Sequence, residues 1–117
     1  MNLINNSFII EKKSKFYGYL YKIDNKDEID VILEDLKKNN KGYRHIPYAY
    51  KISNTAGKSN DKEPGDIGMN FLNILERNNL NSHLLLVLRY YGGTKLGASN
   101  LTRIYGKCAN LCINIEK

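Results

Sequence analysis

The sequence predicts an α/β protein in two layers, one mixed sheet backed by helices on one face. Three observations predict it. Leu84-Leu85-Leu86-Val87-Leu88 is a run of five aliphatic residues, followed closely by glycines, as in a strand buried on both faces. Three other stretches carry apolar residues at helical spacing. The elements come in the order β-β-α-β-α-β-α, and 117 residues give room for one core and no more. Residues 1–117 therefore read as a single domain.

Ser7 to Glu11 and Phe16 to Ile23 form the first two strands, joined by the polar turn Lys12-Lys13-Ser14. In the second, Phe16, Gly18 and Leu20 alternate with Tyr17, Tyr19 and Tyr21, so three tyrosines share one face. With helices on only one side of the sheet, these tyrosines belong on its open side. Asn25 opens a helix with Glu28 three residues on, close to a capping box. Ile29, Ile32, Leu33 and Leu36 form its apolar stripe, Asp27, Asp30, Glu34 and Asp35 its solvated side, and Asn39 to Gly42 its end.

Tyr43 to Ser53 is the third strand, and Asn54 to Gly65 a long loop with glycine, Pro64 and many polar residues. Asp66 caps a second helix that turns Met69, Leu72 and Leu75 inward and ends near Asn78-Asn79. His83 to Tyr91 is the core strand. Ser99 or Asn100 caps the last helix, whose buried stripe is Leu101, Ile104, Cys108, Leu111 or Cys112, and Ile115. Arg103 and Lys107, four apart, share its opposite face with Asn110 and Asn114.

Composition excludes several classes. At 42% hydrophobic and 26% charged the chain reads as an ordinary soluble protein. No apolar stretch approaches the ~18 residues of a membrane span, and Met1 to Asn6 lacks the marks of a signal peptide. A cytoplasmic protein without a membrane partner is the expectation. Cys108 and Cys112 lack the further ligands that a structural zinc needs, since His45 and His83 lie far off and are not spaced as a pair. They read as reduced core thiols, with no metal and no cofactor. No serine or cysteine sits in a nucleophile motif. His45, Asp61 and Glu63 are the one plausible acid–base set, but such sets often arise by accident, and a strand-end histidine pairing with loop acids is the better account of them. Neither an enzyme nor a small-molecule substrate is indicated.

Charge is more informative. Residues 1–39 hold seven lysines and seven acids, whereas residues 40–117 hold eleven Lys or Arg against five acids. The whole net charge of +6 thus lies in the half containing Arg89-Tyr90-Tyr91-Gly92-Gly93-Thr94-Lys95-Leu96-Gly97. A basic surface there suits an anionic partner, nucleic acid being the most common, while plain solubility explains it equally. The glycine turn has neither P-loop nor dinucleotide-binding spacing. It either offers free N–H groups, a helix N-terminus and Lys95 to a phosphate, or is a tight connection whose glycines serve sterics. The tyrosine face can likewise stack bases, or simply be half-buried sheet.

Arg89 to Gly93, Lys95-Leu96-Gly97, Leu101, Arg103 and Tyr105 follow the pattern R-Y-[FY]-G-G-x-x-L-G-x-G-G-L-x-R-x-Y, and Arg44-His45 to Ala49-Tyr50 matches a histidine-containing strand. These words resemble the IMPACT N-terminal domain family of YigZ-type proteins and IMPACT translation regulators, from about Ser14 to about Ile113. The family loop D-D-G-E-P-x-G-T-A-G corresponds to Asn60 to Gly68, one residue shorter and with Lys62 in place of a glycine. Ser99 and Asn100 stand where the family has paired glycines. The resemblance implies a sandwich like the second domain of a small-subunit ribosomal protein, and a role linked to translation. Eukaryotic members restrain a starvation-responsive kinase by competing for its activator; for bacterial members nucleic-acid binding is suggested by the fold.

The expectation is a non-enzymatic regulator that contacts RNA or the ribosome through Arg89, Gly92, Gly93, Lys95, Gly97, Arg103 and Lys107. The family words supply Arg44, His45, Asp61, Glu63, Pro64, Tyr90 and Tyr91 around it. The alternative is a protein-interaction module of the kinase pathway.

Overall fold

A computed structural model describes residues 1–113. The expected Asn114 and Ile115 of the last helix lie outside the described residues. The elements are β1 (Asn2–Glu11), β2 (Ser14–Lys22), α1 (Asp27–Asn39), β3 (Tyr48–Ile52), β4 (Thr55–Ser59), α2 (Ile67–Arg77), β5 (His83–Tyr90) and α3 (Ala98–Ile113). The five strands form one sheet in the order β1-β2-β5-β3-β4. The α/β class is as the sequence predicts.

Every neighbouring pair is antiparallel, which corrects the expected mixed sheet. The two strands of the β2–α1–β3 unit run parallel, but β5 inserts between them and opposes both. The helices also do not share one face. Leu85 and Val87 of β5 pack with Phe16 and Leu20 of β2 against Phe71 and Ile74 of α2 and Ile104, Tyr105 and Cys108 of α3. Leu84, Leu86 and Leu88 point the other way, into a second cluster with Ile29 and Ile32 of α1. A strand with aliphatic residues at every position has two faces to bury, and one layer of helices covers only one. Tyr17, Tyr19 and Tyr21 pack at the edge of this second cluster, so their face is partly covered by α1 rather than open.

The long loop after β3 also contains a strand. Ile52 pairs with Thr55, so Ser53-Asn54 forms a two-residue turn, with Ser53 left-handed at φ 52°. β3 itself starts at Tyr48, leaving Tyr43 to Pro47 as an irregular approach. The capping box of α1 forms: Glu28 Oε2 accepts from the backbone N–H of Asn25, and the Glu28 N–H donates to Asn25 Oδ1. Asp66 makes no side-chain cap at α2; Asn60 Oδ1 accepts from Gly68 N–H at 2.7 Å instead. Met69 faces out, while Ile67, Phe71, Ile74 and Leu75 are buried. On α3 the buried stripe is Leu101, Ile104, Tyr105, Cys108 and Cys112, with Leu111 exposed. Both thiols are buried, with Ser7 Oγ beside them.

Candidate functional site

The site forms where β5 leaves the core. Beyond β3, Arg44 and His45 are bonded to the end of β5: Arg44 N–H donates to Arg89 O at 2.7 Å, and Arg89 N–H donates to His45 O at 2.9 Å. The loop after β4 folds back onto this segment. Ile46 N–H donates to Asp61 Oδ2 at 2.6 Å, and His45 Nδ1 lies 2.7 Å from Asp61 O. A carbonyl only accepts, so Nδ1 carries the proton and Nε2 is turned to the carboxylate of Glu63, 3.6 Å from Oε1. Asp61 and Lys62, both left-handed at φ 48° and 67°, turn the chain so that Glu63 points inward.

Glu63 is only 6% exposed, and one of its carboxylate oxygens is engaged twice. Its Oε2 accepts from Arg89 Nη1 at 2.8 Å and from the hydroxyl of Tyr105, which reaches it from α3. Burial, and then the bond to Glu63, raise the Tyr105 pKa, so this hydroxyl stays protonated and remains a donor. Arg89 is 4% exposed, with its guanidinium near the rings of Phe16 and Tyr91. Its Nε is enclosed and has no hydrogen-bond partner. A buried polar group without a partner is rare enough to need an explanation.

A cavity of about 330 Å³ opens beside this pair. Arg44, His45, Arg89 and Lys95 supply its basic lining, Glu63 its acid, and Pro64, Tyr91, Leu96 and Leu101 its less polar walls. Gly97 and Ala98 also line it, which places the start of α3 at the cavity. Leu101 N–H bonds Gly97 O, so the N–H groups of the preceding turn have no intrahelical acceptor. Arg44 lies 4.9 Å over the Tyr91 ring. Chemically, this arrangement can hold an anion, since its cations outnumber its carboxylate and Glu63 is already paired with Arg89.

Of the sequence-predicted site residues, the structure gathers Arg44, His45, Glu63, Pro64, Arg89, Tyr91, Lys95 and Gly97 around the cavity. Asp61 does not line it; its carboxylate and carbonyl hold the His45 strand. Gly92 serves sterics: its N–H donates to Ser14 Oγ at 3.0 Å, and a Cβ there would enter the backbone of Lys13 and Ser14. Gly93 is left-handed at φ 93° and does not line the cavity. Tyr90 faces the other side of the sheet, where its hydroxyl donates to Asn40 Oδ1. Arg103 and Lys107 are exposed on the outer side of α3, with Arg103 bonded to Asn100. The sequence reading did not give Tyr105 a role at the site. The signal was available, since a tyrosine inside a buried helical stripe needs an acceptor for its hydroxyl.

The profile of the Impact N-terminal domain matches residues 12–113. The chain is 34% identical over 110 residues to the IMPACT family member YvyE of Bacillus subtilis, covering 91% of this chain and 51% of YvyE. The crystal structure of a hypothetical protein superposes with a TM-score of 0.84 at 28% identity, over 96% of this chain and 58% of that one. The two-domain translational regulator Yih1 shares the fold, with a TM-score of 0.55 at 17% identity over 96% of this chain and 46% of Yih1. The chain thus spans about half the length of YvyE. With the three sequence words that line the cavity brought together by the fold, and the profile matched across nearly all of the described residues, the chain belongs to the Impact N-terminal domain family.

Proposed function

We propose that this chain is a non-enzymatic, translation-linked regulator that binds RNA, free or in the ribosome, through its phosphates and acts in the cytoplasm. The observation that carries this reading is the convergence of Arg44, Arg89, Lys95 and the first turn of α3 on one cavity. Among the described residues, the carboxylate that lines it, Glu63, is already bonded to Arg89 and Tyr105. The charge excess of residues 40–117 supports it, and Arg103 and Lys107 add a second basic surface on the outer side of α3. Translation enters through kinship: Yih1, which shares the fold, is a translational regulator. Regulation without catalysis accords with a Glu63 that is held by a cation and a hydroxyl.

The test is RNA binding as a function of salt. Phosphate contacts release counterions, so log affinity falls with log salt by roughly 0.7 per contact on single strands. Binding at low ionic strength with a slope of several contacts, little affected by base sequence, is the expected result. Absence of any salt-dependent binding to RNA or ribosomes rejects this reading in favour of a protein-interaction module that competes for the activator of a translation kinase.

A further inference from the structure

We infer that the cavity at the start of α3 takes a phosphomonoester, the terminal phosphate of an RNA chain, and not a phosphodiester within the chain. This rests on the RNA reading above and narrows it. Three features of the site lead there.

The first is the state of Arg89. Its guanidinium gives Nη1 to Glu63, while Nε is enclosed without an acceptor. The side chain lines the cavity, and its fork of donors, with one N–H given to Glu63, keeps others for a phosphate oxygen. The N–H groups of the first turn of α3, a helix of sixteen residues, approach the same space and favour negative charge.

The second is charge balance. Among the described residues, Arg44, Arg89 and Lys95 line the cavity against the carboxylate of Glu63, a surplus of two positive charges. A phosphomonoester carries close to two negative charges at neutral pH, whereas a phosphodiester carries one. The end of a chain therefore compensates the site more fully than its interior does.

The third is depth. Arg89 is 4% exposed, so a phosphate reaches it only by entering the cavity. At about 330 Å³ the space is at the small end for ligand sites, which run ~300–1,000 Å³. A terminal phosphate enters with one nucleoside behind it. An internal phosphate would have to bring two, between walls formed by Pro64 and Leu96.

The experiment uses one short single-stranded RNA with a 5′-phosphate, a 3′-phosphate or hydroxyls at both ends, its binding read by fluorescence anisotropy. A hydroxyl-ended RNA lengthened to equal total charge controls for electrostatics. Adenosine monophosphate and inorganic phosphate serve as competitors. We expect one phosphorylated end to tighten binding by about tenfold over the charge-matched control, and adenosine monophosphate to compete. Lys95→Ala and Arg44→Ala, both at accessible positions, should each erase much of that preference. Arg103→Ala with Lys107→Ala should weaken all RNAs alike and leave the ratio intact. Arg89→Lys, which keeps the charge on Glu63 but loses the fork, should also remove it if the variant folds.

Equal binding of phosphorylated and charge-matched RNA overturns the terminal-phosphate inference and leaves RNA binding standing. Binding of adenosine monophosphate without binding of any RNA rejects the RNA reading and the RNA-end identity, while the phosphomonoester pocket survives. No binding of any of these probes overturns both.

Discussion

Arg89 and Glu63, twenty-six positions apart, meet through Nη1 and Oε2 at 2.8 Å with both side chains nearly sealed from solvent. Removing one partner strands the other as a buried charge, which typically costs ~3–5 kcal/mol. Glu63→Ala and Arg89→Ala should each destabilise the protein by about that much. The double variant should lose clearly less than the two together, because it leaves no stranded charge. Urea unfolding of the four proteins checks this, and strictly additive losses would show that the pair is not coupled.

Tyr105 donates to the same carboxylate oxygen from α3. A hydrogen bond to a charged group is worth roughly 1.5–3 kcal/mol, so Tyr105→Phe should weaken the fold by that order while preserving its core volume. Retained stability in this variant would mean that Arg89 alone satisfies Glu63.

Much of this fold is legible in the chain. The aliphatic run Leu84 to Leu88 marks the strand that proves central, and the stripe Leu101, Ile104 and Cys108 marks the face of α3 that is buried. β4 is not legible. Thr-Ala-Gly-Lys-Ser has low strand propensity, and Ser53-Asn54 lacks the glycine that usually signals a tight hairpin. The side of the sheet that α1 covers is not legible either, because amphipathicity fixes which face of a helix is buried and not which layer it joins. The cavity is legible in part. Family words bring Arg44-His45, Glu63-Pro64 and Arg89 to Gly97 forward together, but their meeting depends on β5 inserting between β2 and β3, a non-local event. The spacing of Arg103 and Lys107 shows that they share a helix face, and the packing of Leu101 and Tyr105 then turns that face away from the cavity.

Alkaline pH should weaken the protein. Burial raises Cys108 from 9.0 to about 11, raises Tyr21 from 10.0 to about 12, and raises Tyr105 as well. A raised folded-state value means that the native protein keeps a proton which the unfolded chain releases. The contribution is therefore fully present below the unfolded value and is lost as pH rises through the folded one. For Cys108 that window runs from 9.0 to about 11, and for Tyr21 from 10.0 to about 12. Unfolding free energy measured from about pH 8 to about pH 11 should fall. A flat profile over that range would contradict the burial of these groups.

Lys62 adopts φ 67° in the turn that aims Glu63 inward. A side chain there strains the backbone by roughly 1–2 kcal/mol, and glycine adopts it freely at some entropic cost. Lys62→Gly, which restores the residue of the family pattern, should stabilise the protein by about 1 kcal/mol. Because Lys62 does not line the cavity, RNA affinity should change little. A destabilised variant would place the turn in a different conformation.

The last prediction separates two basic surfaces. Arg44 and Lys95 line the cavity, whereas Arg103 and Lys107 stand on the outer side of α3. If both surfaces touch phosphates, each lost contact lowers the slope of log affinity against log salt by roughly 0.7 on single-stranded RNA. Lys95→Ala and the pair Arg103→Ala with Lys107→Ala should each flatten that slope, the pair by about twice as much, with far-UV circular dichroism unchanged. A single exposed lysine carries little of the fold, so a loss of affinity there reports on the ligand. Unchanged slopes in the outer pair, with a reduced slope in Lys95→Ala, would confine the RNA contact to the cavity mouth. The reverse outcome would move it onto α3 and leave Arg89 without a role in RNA binding.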